Sequence, residues 1–260
     1  MALQTRPRPL DQAPEPMLPP LYTAVRLREV GDAFAHAVAI AADSGAGTLV
    51  HVGRFDVAEF ALVLEPEEPL KHARRAFYAG MVALSDALIS AAEPETMVEI
   101  DWPDAVRVNG GLVGGGRLAW PHGLAEDDVP PWLVFGAMIR LHPGSNREPG
   151  HDPDITNLAE EGFGGLAEEG ESGLVSQRLI ESFARHFMVA VDSWQERGFA
   201  AVAKSYVERL TPAKGLRRDI DDNGDLLLRR MASDKAERKS LIEALAHPAW
   251  LDPATGAPRG

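Results

Sequence analysis

The sequence predicts an α+β fold: a mixed, largely antiparallel sheet backed by helices, with a small barrel-like β appendage at the C-terminal end. Three observations predict it. Short runs rich in β-branched residues recur between Thr48 and Leu141, separated by turn residues. Asn109-Gly110 lies between two such runs, and both central positions of that hairpin turn need φ > 0. Two long apolar stripes of helical period, Leu70 to Ala92 and Leu174 to Arg197, supply faces that must pack against a second layer.

Taken in order, Met1 to Pro20 is rich in Pro and has no apolar run of the secretory kind, so it reads as an extended or disordered tail. Order begins near Leu21. Val30 to Ala42 places apolar residues at helical spacing, and Asp43-Ser44-Gly45 stops it. Thr48 to Val52 and Glu59 to Glu65 read as strands. Leu70 to Ala92 reads as one long helix, with Ala73, Phe77, Met81, Leu84, Leu88 and Ala91 on one face and Pro94 beyond its end. Met97 to Ile100 leads as a strand into Asp101-Trp102-Pro103-Asp104. Val106 and Val108 precede the hairpin turn, and Leu112 to Trp120 is the return strand, with Gly114, Gly115 and Gly116 inside it. Trp132 to Leu141 is a further strand. Pro143 to Gly173 is a long Gly- and acid-rich connection, of the kind that is functional or mobile. Leu174 to Arg197 and Phe199 to Leu210 are helices. Pro212 marks a boundary, so the expected organisation is a tail (1–20), a main domain (21–211) and a small β-rich C-terminal domain (212–260). In the last of these, Asp222-Asn223-Gly224 turns into a strand from Asp225 to Arg229, and a Lys/Glu-rich stretch and Leu241 to Leu245 follow.

A chain of 260 residues that is 45 % hydrophobic can bury one substantial core and a small second one. The net charge of −13 argues against a nucleic-acid partner, because counter-ion release needs clustered cations. The absence of cysteine excludes disulfides, thiolate metal sites and cysteine nucleophiles. No apolar run approaches the roughly 20 residues of a membrane span, so the expected location is cytoplasmic with no membrane partner. Lysine is scarce, with none between Lys71 and Lys204.

The run Asp101-Trp102-Pro103-Asp104, followed by Val-Arg-Val-Asn-Gly-Gly-Leu-Val-Gly-Gly, resembles the central signature of biotin and lipoate protein ligases. In that family a Lys-Trp-Pro-Asn-Asp run leads into a hairpin and a Gly-containing strand. The order of the surrounding elements is similar, and the Gly215 to Arg229 segment is similar to the family's SH3-like C-terminal domain. The resemblance covers about Leu21 to Leu245. It implies a fold like the class II aminoacyl-tRNA synthetase core. It implies ATP and Mg²⁺ as cofactors, biotin or lipoate as substrate, and acyl transfer through an acyl-adenylate to a lysine of a biotinyl or lipoyl carrier domain. The alternative is a non-catalytic relative that binds a small carboxylic acid, a nucleotide or a carrier protein.

Three departures bear on the chemistry. Asp101 stands at the position of the signature lysine, where an acid repels both a carboxylate and a phosphate. The ligand loop expected between the second and third strands is reduced to Gly53-Arg54-Phe55-Asp56. Gly31-Asp32 replaces a Ser/Thr pair at the first helix start. The candidate site residues are therefore Asp101 at the lysine position, with Arg54, Trp102, Asp104, Arg107, Asn109, Gly114, Gly115, Gly116 and Arg117 as ligand contacts. Several have an alternative: Trp102-Pro103 as a packed strand bend, Gly114 to Gly116 as a bulge or close backbone approach, Arg107 and Arg117 as solvated strand residues. No metal ligand set is expected; His151-Asp152-Pro153-Asp154 reads as a polar loop, and His186 as a helix residue rather than a base.

Overall fold

Strand β1 (Thr23–Leu27) runs parallel to β2 (Thr48–Val52), and helix α1 (Ala33–Ser44) crosses between them. The structure, a computed structural model, describes residues 15–143, 154–163, 172–230 and 236–259. Five more strands extend the sheet: β3 (Val57–Leu64), β4 (Val98–Asp101), β5 (Ala105–Val108), β6 (Gly111–Ala119) and β7 (Leu133–Arg140). Their spatial order is β1-β2-β3-β7-β6-β5-β4, and every pair after the first is antiparallel. β1 was not expected from the sequence. It is a half-exposed edge strand of mixed polarity, so it lacks the apolar run that marks β2.

Two layers cover the sheet. On one face, Ala33, Ala37 and Ala41 of α1 pack on Val50, Val52, Ala61, Val63 and Val134. Asp32 caps this helix by accepting from the Ala35 amide at 2.8 Å. On the other face lie α3 (Ala76–Ile89), α4 (Ser172–Arg197) and α5 (Phe199–Glu208), which share the main core with Phe60 and Phe135. The Phe135 and Phe183 rings stack there at 5.6 Å. Burying rings of this size contributes about 2–3 kcal/mol each.

The stretch expected to be one helix from Leu70 to Ala92 is two. α2 (Leu70–Ala73) ends at Arg74-Arg75, where the amides of Arg75 and Phe77 bond three residues back instead of four. The cause is distant in sequence: Arg74 donates to the Asn223 carbonyl and Arg75 to the Asp222 carbonyl.

Those carbonyls belong to a separate three-stranded antiparallel sheet, β8 (Leu216–Ile220), β9 (Leu226–Arg230) and β10 (Ala236–Lys239). β10 occupies the Lys/Glu-rich stretch in which no strand was expected; all four residues are exposed, so no apolar alternation marks it. A short helix, α6 (Leu241–Leu245), follows. Ile220, Leu226 and Leu241 are buried in the main core, so the small sheet and the large one share apolar surface. Among the described residues, no helix is long and apolar enough to cross a membrane.

Candidate functional site

Register across the sheet places Asp101, Ala105, Gly115, Met138, Glu59 and Val52 side by side on successive strands. Alternation puts them on the face covered by α1, opposite the main helical layer. Arg117 and Gly136 lie two residues further along on that same face, where Gly136 leaves room for the Phe34 ring. The candidate site is this strip, between the start of α1 and the C-terminal end of the chain.

The structure brings some of the expected residues together there and uses others elsewhere. Asp101, 39 % exposed, accepts from Arg107 Nε at 2.5 Å and from Thr211 Oγ1 at 2.6 Å. Arg107 also donates to the Gly110 carbonyl at 2.8 Å. Arg117, 15 % exposed, lies 3.3 Å from Asp32 and stacks over Phe34 at 4.1 Å. Arg54 pairs with Asp56 at 2.9 Å and with the buried Glu59 at 3.7 Å. Trp102 packs on the main core instead, with its indole donating to Tyr78 Oη at 3.3 Å. Asn109, at φ 49°, forms the hairpin turn with Gly110, and its side chain bonds Met97 and Glu161. The glycines divide by role. A Cβ on Gly114 would lie 2.0 Å from the Met138 carbonyl, and one on Gly116 would meet Met81 of the helical layer at 2.5 Å. Gly115 faces the strip. His186 bonds within α4, through Nδ1 to the Ser182 carbonyl at 2.8 Å. His151, Asp152 and Pro153 lie outside the described residues.

Two groups that sequence reading missed complete the strip. Glu59 accepts from the Ala33 amide at 2.7 Å, and burial raises its carboxyl above the usual range. Trp250, 0 % exposed, lies directly over Gly115; its Nε1 donates to the Gly116 carbonyl at 3.1 Å. A tryptophan set among Pro248, Asp252, Pro253 and Gly256 was the available signal, because turn-rich surface segments rarely hold so large an apolar ring. Beside it, Asp104 is 1 % exposed, and among the described residues neither carboxylate oxygen has a hydrogen-bond partner. Burial pushes its pKa up to about 7, against smaller opposing effects of nearby backbone N–H groups and the Trp250 ring.

The electrostatics decide what the strip can do. Activating a carboxylate with a nucleoside triphosphate gathers negative charge that unengaged cations must meet. Arg54, Arg107 and Arg117 each have a carboxylate within 3.3 Å. Around Glu59 three acids, Asp32, Asp56 and Glu59, face two guanidiniums. Among the described residues, these three guanidiniums are therefore already engaged, and none meets a triphosphate as an unpaired cation. Beside them Val57, Ala105 and Met138 form an apolar floor next to the buried Asp104 carboxyl.

Comparison with known proteins identifies the family. The model of the biotin/lipoate A/B protein ligase family matches residues 18–208. The chain is 28 % identical over 182 residues to the biotin–[acetyl-CoA-carboxylase] ligase of Paracoccus denitrificans, spanning 65 % of this chain and 72 % of that one. The fold superposes with a TM-score of 0.73 on a biotin protein ligase-like protein of unknown function from Silicibacter sp. TM1040, at 29 % identity over 88 % of this chain and 98 % of the other. The Aquifex aeolicus biotin protein ligase solved with biotin and ATP shares the fold at 14 % identity and a TM-score of 0.56, over 84 % of this chain and 98 % of that one. With the family model spanning most of its length, from β1 through α5, this chain belongs to the biotin/lipoate A/B protein ligase family.

Proposed function

We propose that this chain holds a small biotin-type carboxylic acid on the Gly115 strip without joining it to ATP. The observation that carries the proposal is the Asp101–Arg107 ion pair, at the position where the resemblance puts a lysine. An ion pair has no net charge to offer a developing anion, and its absence of charge costs such a transition state roughly 3 kcal/mol, about a hundredfold in rate. The relative named a biotin ligase and the fold shared with a biotin complex support biotin as the first acid to test, with lipoate as the second. A cytoplasmic location belongs to the same proposal.

A second reading is an active ligase that passes the acid through an acyl-adenylate to a carrier-domain lysine. One observation favours it: among the described residues, the buried Nε of Arg117 has no hydrogen-bond partner. The experiment is calorimetry with biotin and with lipoate, run beside pyrophosphate release with ATP and Mg²⁺. Binding heat without pyrophosphate is the expected result. Sustained pyrophosphate release dependent on either acid establishes the second reading instead.

A further inference from the structure

We infer that residues 248–259 form a strap that seats Trp250 in the acid site, and that a ligand reaches Gly115 only when the strap lifts. The inference rests on the acid-binding reading above and adds its regulation. The indole occupies the strip itself: a Cβ on Gly115 would meet Trp250 Cδ1 at 2.4 Å and Nε1 at 2.5 Å. Val57, Ala105, Leu112 and Met138 enclose the ring on the same face. With the Asp104 carbonyl 2.1 Å from the same position, no side chain fits on Gly115, and the ring fills the space beside it.

The strap is built as a unit. The Arg259 amide donates to the Trp250 carbonyl at 2.8 Å, the Asp252 amide to the Ala257 carbonyl at 2.9 Å, and the Gly256 amide to the Asp252 carbonyl at 2.8 Å. Leu251 and Pro258 pair as an antiparallel bridge. These bonds are internal and survive if the segment moves as one piece. To the sheet it is held by the ring with its bond to Gly116, by Leu251 against the same apolar cluster, and by the Arg140 guanidinium, which donates to the Arg259 carbonyl. A segment with internal bonds and few anchors opens at lower free energy than the sheet beneath it. In the closed state the Asp104 carboxyl is buried with, among the described residues, no well-aligned hydrogen bond and only the nearby Ala249 N–H and Trp250 ring to favour its charge, a cost that a ligand bearing N–H or O–H donors relieves.

The test uses the full chain, with biotin as probe. Hydrogen exchange comes first. The Trp250 indole N–H, which donates across to the Gly116 carbonyl, should be protected at least tenfold less than the amides of β6 and β7, and less again with biotin. Exchange at the rate of the sheet shows that the strap leaves only on unfolding and overturns the inference. Calorimetry then compares the native chain with Trp250→Ala. Because apparent affinity scales with the competent fraction, the variant should bind biotin more tightly by the inverse of the open fraction that exchange reports. Equal affinity in a folded variant overturns the strap and leaves the acid-binding reading standing, as does biotin that binds while slowing exchange of the Trp250 indole N–H. The latter measurement decides the matter on the native chain if Trp250→Ala does not fold. A strap that opens in a chain binding no biotin, native or Trp250→Ala, overturns the acid-binding reading and supports the strap alone.

Discussion

Asp104 is a buried carboxyl with no hydrogen-bond partner among the described residues, and its titration has a definite sign. Its pKa rises from the ordinary carboxylate range to about 7, so between about pH 4 and pH 7 the folded state holds a proton that the unfolded chain has released. Stability from this group is full below pH 4, falls as pH rises through that window, and levels off above 7. The difference amounts to at most about 4 kcal/mol. Asp104→Asn should flatten the fall, measured as urea midpoint against pH. His51 works in the opposite sense, since burial and Arg26 lower it to about 4, so stability from it rises between about pH 4 and 6.5. Subtracting variant from native isolates Asp104, and an unchanged profile refutes its role. Asp101 makes a second prediction. Asp101→Lys removes the partner of Arg107 and adds a cation, so it should bind biotin more tightly than the native chain, by about tenfold or less at so exposed a site. Weaker binding by the variant would count against a ligand carboxylate lying near position 101. Asp101 and Asp104 were both legible as candidates, because each stands in the Trp-Pro run. That Asp104 is buried was not, because its neighbour Trp250 lies far along the chain.

Strand β6 shows how much of an element a local pattern reveals. The hairpin at Asn109-Gly110 was readable because the turn is a property of two adjacent residues, both at positive φ. The glycine run was readable as a place of close approach, yet what approaches comes from four places: β7 at Gly114, the Asp104 backbone and the C-terminal segment at Gly115, and α3 at Gly116. Gly115→Ala should cost far more than a change at the hairpin turn. Its Cβ would lie 2.1 Å from the Asp104 backbone carbonyl, which cannot swing aside as a side chain can. A loss of roughly 3 kcal/mol or more is expected. Gly110→Ala, with nothing within 4 Å but φ at 87°, should cost about 1 kcal/mol. Urea denaturation orders the two, and equal losses would mean that the β5–β6 approach relaxes freely. The break between α2 and α3 shows the opposite limit. The apolar period runs through it, and only contacts 147 and 149 residues away reveal why the chain turns there.

Over the whole molecule, the division at 211/212 is a proposal about architecture, not about independent folding. The small sheet has its own hydrogen bonding, but Ile220, Leu226 and Leu241 are buried in the main core. The tie is also polar. Tyr78 Oη accepts from the Trp102 indole at 3.3 Å and donates to the Gly224 carbonyl at 2.5 Å, joining α3, the Trp-Pro bend and the turn between β8 and β9. Tyr78 is fully buried, so Tyr78→Phe leaves an indole N–H and a carbonyl without that partner and should cost about 1–3 kcal/mol. The distribution of that loss tests the division. If the two sheets unfold as one, exchange from β6 and from β9 amides reports the same global free energy, and Tyr78→Phe lowers both equally. If residues 212–260 open separately, β9 is already the weaker and the variant lowers it alone. Shared burial of three apolar side chains, each contributing about 1.5–3 kcal/mol, favours the first outcome. A β9 loss with β6 unchanged would refute the coupling and establish two independently stable parts.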